Sequence, residues 1–418
     1  MDKKRVIFHI DVNSAYLSWE AAYRLQHGES LDIRTVPSIV GGDQASRHGI
    51  VLAKSTPAKT LYKVQTGESL YAVRQRCPDL LIIPPHYDLY MKCHKAMLSL
   101  LEEYSPSIQV FSIDECFIDY TNMEAVWGSP LEAANAIRER IKKELGFTVN
   151  IGISSNKLLA KMGGDLKKPD MVHTLFPEEV SKKLWPLPVG DLYGVGRATA
   201  PKLNQMGIYT IGQLAKSEPE FLKFKLKSFG QVIWNYANGI EESNVSNGRR
   251  PPIKGIGNST TISFDVDNKN EAYKVLLSLT EMVCMRLRQA EFCAQLVEVS
   301  IKTNEFVHYS HQRKFCTPTD STTAIYEAAC RLFDESWKGQ PIRHLGVRVS
   351  ELCGNDFVQI SILEKYNEKK KRLDQTIDNL RMKFGSRVVF RSVFLNSGLS
   401  PVTGGVMEED YQMMSSFL

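Results

Sequence analysis

Two carboxylates stand side by side in an apolar stretch, Phe111-Ser112-Ile113-Asp114-Glu115-Cys116-Phe117. An ionised acid is costly to bury unless it is paired or holds a metal. In a flat strand, neighbouring side chains point to opposite faces. For Asp114 and Glu115 to serve one ion, the chain must bend or turn back here. The alternative is that one acid is buried and the other solvated, and the residues alone leave both open.

A third acid lies in Ile10-Asp11-Val12-Asn13-Ser14-Ala15-Tyr16. Val6, Phe8, Ile10 and Val12 alternate with Ile7, His9 and Asp11, which predicts a strand. Asp11 falls at its carboxyl end, where sites in α/β layers gather. The amides from Val12 to Tyr16 open a helix and are able to hold phosphate oxygens, although Asp11 could simply cap that helix. Asp11, Asp114 and Glu115 together suggest a carboxylate box for hard cations such as Mg²⁺, which prefers oxygen ligands and keeps substrate phosphates in its shell. Two such ions would stabilise the attacking and leaving oxygens of a phosphoryl displacement. Lys157, Lys161 and Lys168 recur near helical multiples and could face one way. A lysine row beside such a box suits a triphosphate, although a solvated helix face is the commoner explanation of such a row in isolation.

Three textures divide the 418 residues, in line with ~150 residues per domain. Residues 1–175 mix strands (108–118, 148–153) and helices (89–104, 131–145) on a mixed sheet. Residues 176–241 are short, helical and basic. Their Tyr193-Gly194-Val195-Gly196-Arg197, followed by Lys202, fits a helix-hairpin-helix that brings amides to a DNA phosphate. After a polar linker come strand 256–264, helix 270–290, strands 295–303 and 306–316, helix 320–337 and strand 343–351. This is a β-α-β-β-α-β order with both helices on one face. Alternation sets Ser300 and Lys302 with Ser310, Gln312, Lys314, Arg348 and Ser350 on the open face, a surface able to grip phosphates. A charged helix is predicted from Lys365 to Lys383. The net charge of +5 permits a nucleic-acid partner without demanding one. The eight cysteines form no Cys-x-x-Cys pair, against a zinc ribbon or a thioredoxin-type site. No apolar run approaches the ~20 residues of a membrane span, and the amino terminus lacks a signal-peptide core. A cytoplasmic protein without membrane contact is expected.

In order and spacing these segments, with Asn156-Lys157-Leu158-Leu159-Ala160-Lys161 and Asp165 to Pro169, resemble a Y-family DNA polymerase of the DNA polymerase IV and UmuC type. The resemblance spans about residues 5–365. It implies an α/β and α+β multidomain right hand: palm 1–14 and 86–175, small fingers 15–85, helix-hairpin-helix thumb 176–241, linker 242–252, little finger 253–352 and tail 353–418. It implies error-prone, template-directed addition of dNTPs to a primer 3′ end with two Mg²⁺ per active site. The setting would be translesion synthesis, DNA damage tolerance and the SOS response, with a mutator effect and no proofreading. Asp11, Asp114 and Glu115 match the catalytic metal-binding acids, with Val12 contributing through its backbone. Tyr16 matches the steric gate against a ribose 2′-hydroxyl. Asn13, Ser14, Ala15, Tyr16, Lys59 and Lys168 match nucleotide contacts. Gly194, Gly196, Lys202, Lys302, Lys314 and Arg348 are the DNA-binding candidates. Ala53, Thr56 and Lys59 replace the Thr, Tyr and Arg common in the family, which removes two phosphate hydroxyls and a guanidinium fork. Asn13 replaces an acid that is not a required ligand. Gln359, Ile362 and Leu363 fall in a segment resembling a sliding-clamp peptide. Primer-template DNA, dNTP and a clamp are the expected partners of a monomer. Two other readings share these residues: a two-metal nuclease, and a catalytically silent DNA-binding or recruitment protein.

Overall fold

The computed structural model describes residues 5–42, 49–246, 253–355, 368–385, 388–395, 397–399 and 401. They form two compact units, one from residues 5–42 and 50–246, the other from 253 onward. The first runs β1 (Ile7–Val12), α1 (Ala15–Gln26), β2 (Ser38–Gly41), β3 (Val51–Lys54), α2 (Thr56–Tyr62), α3 (Leu70–Arg76), β4 (Leu81–Ile83), α4 (Tyr87–Glu102), β5 (Ile108–Val110), β6 (Glu115–Asp119), α5 (Glu124–Trp127), α6 (Pro130–Arg140), β7 (Val149–Ser154), α7 (Lys157–Asp165) and β8 (Val172–Thr174). Helices α8 (Val180–Lys183), α9 (Ala200–Gln205), α10 (Ile211–Ala215), α11 (Pro219–Leu226) and α12 (Ser228–Ala237) follow.

The main sheet has the order β5-β6-β1-β7-β8, so β1 is central and antiparallel to both neighbours. Its alternation is realised. Phe8, Ile10 and Val12 enter a core with Leu17 and Trp19 of α1, Tyr90 and Met97 of α4 and Ile137 of α6. His9 and Asp11 take the other face, which α7 covers. Gly152 on β7 permits that packing, because a Cβ there would lie 1.9 Å from the Ala160 carbonyl oxygen and 2.4 Å from the Gly164 nitrogen. The single strand expected over 108–118 is instead two, β5 and β6, joined by a turn in which the Phe111 and Ser112 amides both donate to the Glu115 carbonyl at 3.0 and 3.1 Å.

A smaller sheet, β3-β2-β4, builds its own core from Ile39, Val51, Ala58, Leu70 and Val73. Helices α8 to α12 form another, to which α7 lends Leu158, Leu159 and Met162. Part of the expected linker is docked: Val245 is buried with Phe111 and Phe117, and the Ser246 amide donates to Gln109 at 3.2 Å.

The second unit runs β9 (Gly255–Val266), α13 (Lys269–Gln289), β10 (Phe292–Thr303), β11 (His308–Thr319), α14 (Thr322–Ser336), β12 (Ile342–Gly354) and α15 (Glu368–Phe384). Its antiparallel sheet has the order β11-β10-β12-β9. Val297, Val299, Ile301, Leu345 and Val347 share a core with α13 and α14, as the period-2 pattern predicts. The charged carboxyl-terminal helix packs through buried ion pairs, Arg288 with Asp378 at 2.6 Å and Arg381 with Glu281 at 2.9 Å. Gln359, Ile362 and Leu363 lie outside the described residues. Among the described residues no helix is long and apolar enough to cross a membrane.

The close approach at Gly152 yields a test. Gly152→Ala must push α7 off the sheet, and overpacking against backbone costs about 1–3 kcal/mol or more. Calorimetry should show the transition of the first unit shifted down and that of the second unit unchanged.

Candidate active site

Asp11, Asp114 and Glu115 occupy neighbouring backbone positions at the carboxyl end of β1. Asp11 is the cross-strand partner of Glu115 in the β1–β6 register. Directly opposed residues of antiparallel strands share a face, so both carboxylates stand on the α7 side. Asp114 precedes β6 in the turn, and its carbonyl accepts the Val12 amide at 3.0 Å. Its own carboxylate accepts the Ser112 hydroxyl at 2.5 Å. The bend expected if the two acids are to share one ion is present here as this turn.

Their affinities for protons are pushed in opposite directions. Burial, and then the nearby Asp11 and Glu115, drive the Asp114 carboxyl up, against the Ser112 hydrogen bond. Burial also acts to raise Glu115, but His9 and Lys161 overcome it and bring the carboxyl down to about 2. His9 Nε2 donates to Glu115 at 2.9 Å, and Lys161 forms an ion pair with the same oxygen. Lys168 pairs with Asp11 and, at 2.8 Å, with Asp165. Burial lowers the Lys168 ammonium pKa, and the two aspartates more than reverse this. The lysine row is therefore no solvated face. Lys157 is buried, its ammonium donating to Gln109 at 3.2 Å, and Lys168 lies beyond the end of α7.

The aromatic residue is braced. The Tyr16 ring stacks on Tyr90 at 4.6 Å and 14° and meets the edge of Tyr87 at 6.3 Å. Tyr90 donates to the buried Glu20 at 2.7 Å. Burial and the Asp114 charge push the Tyr16 phenol up to about 12, so it remains protonated at neutral pH. The amino end of α1 has no side-chain cap, and Ser14 before it is left-handed at φ 50°. The first amides of such a helix, here those of Ala15 and Tyr16 among them, lack intrahelical partners. Asn13 has a structural part, since its amide and side chain both bond to Thr148, at 3.0 and 3.1 Å. A cleft of about 450 Å³ opens beside it, lined among others by Asn13, Ser14, Ser55, Thr56, Thr148 and Pro169.

Lys59 is exposed on α2. Burial and the charge of Lys59 lower the Lys54 ammonium pKa, so two cations are held close together. Sequence reasoning gives no role to Lys54, His9 or Ser112; Ser112 stands two residues before Asp114 in the stretch that carries the acids, whereas His9 reaches Glu115 only through the fold. Ala53 is buried in β3, facing away from solvent.

In the helix-hairpin-helix, Gly194 adopts φ 89° and Gly196 has open space where a Cβ would point, while Lys202 is exposed on α9. On the second unit, the register sets Lys302 opposite His308, Ser300 opposite Ser310, and both Gln312 and Arg348 opposite Glu298. The open face thus has the residues expected, with one qualification: Lys314 is paired to Glu351 at 2.7 Å.

For a hard divalent cation the donor chemistry fits. The set is all carboxylate, and Asp114 is raised by its two acidic neighbours. Among the described residues, however, no three acid, His or Cys side chains converge as a ligand cluster, because Asp11 and Glu115 are drawn to lysines.

Known proteins share this organisation. The impB/mucB/samB family model matches residues 10–165, its C-terminal domain 253–362 and the IMS family HHH motif 177–208. DNA polymerase IV of Clostridium acetobutylicum is 49% identical over 396 residues, covering 94% of this chain and 98% of its own. DNA polymerase IV 2 of Bacillus subtilis is 36% identical over 404 residues, covering 95% and 96%. Among solved structures, a Y-family DNA polymerase chimera of Dbh aligns with a TM-score of 0.70 at 22% identity over 84% of this chain and 100% of that one. The insertion ternary complex of Dbh DNA polymerase gives 0.55 at 22%, over 82% and 98%. These likenesses give the fold: a right-hand polymerase with palm, fingers, helix-hairpin-helix thumb and little finger.

The depressed Glu115 value has a measurable consequence. A folded pKa of about 2, below the unfolded ~4.3, means that Glu115 stabilises the fold fully above about pH 4.3 and loses this as pH falls towards 2. Acid unfolding of Glu115→Gln in EDTA should be flatter than that of the parent across that window.

Proposed function

The chain belongs to the impB/mucB/samB family, the Y-family DNA polymerases, and from that premise we propose how its own residues extend a primer. It is a DNA-directed DNA polymerase of translesion synthesis, acting on primer-template DNA and dNTPs. The observation that carries the assignment of the site is the pairing of Asp11 with Glu115 across β1 and β6, with Asp114 in the turn beside them.

Asp11, Asp114 and Glu115 would hold two Mg²⁺ ions, with Glu115 nearer the primer 3′-hydroxyl and Val12 adding its backbone. Bound there, such ions supply the positive charge that steadies the attacking and leaving oxygens of an in-line displacement. The protein's contribution is then positioning and electrostatics, since the nucleotide carries its own leaving group. Lys168 and Lys161 already neutralise Asp11 and Glu115, so they are placed to hand those acids over and turn to the triphosphate. Lys59, with Lys54 beside it, adds charge from the fingers. The amides of Ser14, Ala15 and Tyr16 receive phosphate oxygens at the uncapped helix end.

Tyr16 is the gate on the sugar. Its ring is fixed by Tyr90 and Tyr87, so it selects by a clash that a ribose hydroxyl cannot escape. Gly194, Gly196 and Lys202 contact the DNA backbone, and Lys302, Lys314 and Arg348 grip it from the little finger. A monomer working in the cytoplasm, tied to a sliding clamp through residues 359–363 and raising mutation rates in an SOS-type response, completes the reading.

A labelled primer-template with Mg²⁺ and dNTPs tests it. The protein should lengthen the primer; shortened products would instead support a nuclease, and no metal-dependent turnover a recruitment protein. Asp114→Ala should slow extension at least ~10³-fold, equivalent to ~4 kcal/mol, while leaving DNA binding unchanged by anisotropy. Tyr16→Ala should admit ribonucleotides at least about tenfold better, ~1.4 kcal/mol. Unchanged sugar selection would remove Tyr16 from the gate.

A further inference from the structure

The hairpin joining β10 to β11 places an aromatic residue where loop chemistry does not want one. The Phe306 amide donates to the Thr303 carbonyl at 3.0 Å, and the Thr303 amide donates to the Val307 carbonyl at 2.9 Å. Phe306 takes φ 67°. A hairpin of this form, a tight turn followed by one left-handed residue, takes Gly at that position, and a bulky residue at positive φ is strained. Burial does not compensate, because Phe306 is 62% exposed.

The ring does have partners. The Lys302 ammonium lies 4.9 Å from its centroid and the Arg343 guanidinium 5.2 Å. Arg343 reaches it through a β-bulge: Lys302 pairs with His344 but Thr303 with Ile342, leaving Arg343 as the extra residue. Bulges re-aim side chains in this way. Among the described residues neither cation has a carboxylate in ion-pair reach, in contrast to Lys314, which is paired to Glu351. Two like charges on one ring repel each other, and the π-face offsets that repulsion.

We propose that Phe306 gathers Lys302 and Arg343 into one phosphate-binding point at the end of the open sheet face, its ligand being the phosphodiester backbone of the primer-template duplex. Phe306 is a positioning residue there, and the strained backbone is retained because the ring organises two unpaired cations. This rests on the reading of the sheet face as a DNA surface, and it adds Phe306 and Arg343 to that surface.

The test uses the full chain, a fluorescent primer-template duplex in EDTA, and a salt titration. Phe306→Asn suits the left-handed turn but has no ring. It should melt at the same or a higher temperature than the parent, yet bind duplex about fivefold more weakly. Phe306→Trp, which keeps a ring, should bind as the parent does. The Lys302→Ala/Arg343→Ala pair should lower the slope of log affinity against log salt by about two, one for each phosphate left without its cation. Parental affinity in Phe306→Asn, equal weakening in the Trp and Asn variants, or an unchanged slope in the double variant would overturn the proposal. Arg348→Ala separates the two readings: if it weakens duplex binding while Phe306→Asn does not, only this inference fails. If Arg348→Ala and the double variant both bind normally, the sheet face itself is not a DNA surface.

Discussion

The pairing register between β1 and β6 is the constraint on which the catalytic end of the molecule depends. It sets Asp11 against Glu115 on the α7 face and sends Phe8, Ile10, Cys116 and Ile118 to the opposite core. A slip of one residue would exchange the two sets, burying two carboxylates among the aromatic and aliphatic side chains and turning the apolar set toward α7. The apolar alternation that stabilises the sheet is therefore the same feature that brings the acids together.

Three carboxylates held this close are electrostatically unfavourable, and the fold balances them unevenly. His9, Lys161 and Lys168 compensate Glu115 and Asp11, while Asp114 is left with a raised affinity for protons. In the function proposed above, those acids exchange lysine for divalent cations. Gly152 matters for the same reason, since only its missing side chain lets α7 come close enough to deliver Lys161. The second unit shows the reverse arrangement, in which Lys302 and Arg343 are cations without carboxylate partners among the described residues, steadied by an aromatic ring.

Much of this is legible in the residues. The alternation of β1 and the β-α-β-β-α-β order of the second unit rest on strong period-2 and period-3.6 patterns, and the elements fall close to where those patterns put them. The adjacency of Asp114 and Glu115 demands a bend, but Ile108 to Ile118 contains no Gly or Pro, so the run reads as one strand although the chain divides it into two. Lys157 reads as a surface lysine because helical spacing says nothing of what lies across from the helix. His9 and Lys54 acquire their roles from strand pairing and packing, and Phe306 from a turn whose usual glycine is absent. Helix α15 reads only as a charged helix, without its packing, because its partners, Arg288 and Glu281, are about a hundred residues away in the chain.

The catalytic reading turns on Asp11, Asp114 and Glu115 jointly holding the divalent ions beside the primer end. The most direct measurement is anomalous scattering from crystals of the protein with primer-template DNA, an unreactive dNTP analogue and Mn²⁺. The expected result is peaks within ~2.0–2.2 Å, the coordination range of a small hard cation, of oxygens from all three carboxylates. Peaks elsewhere, with Lys161 and Lys168 still seated on Glu115 and Asp11, would contradict it.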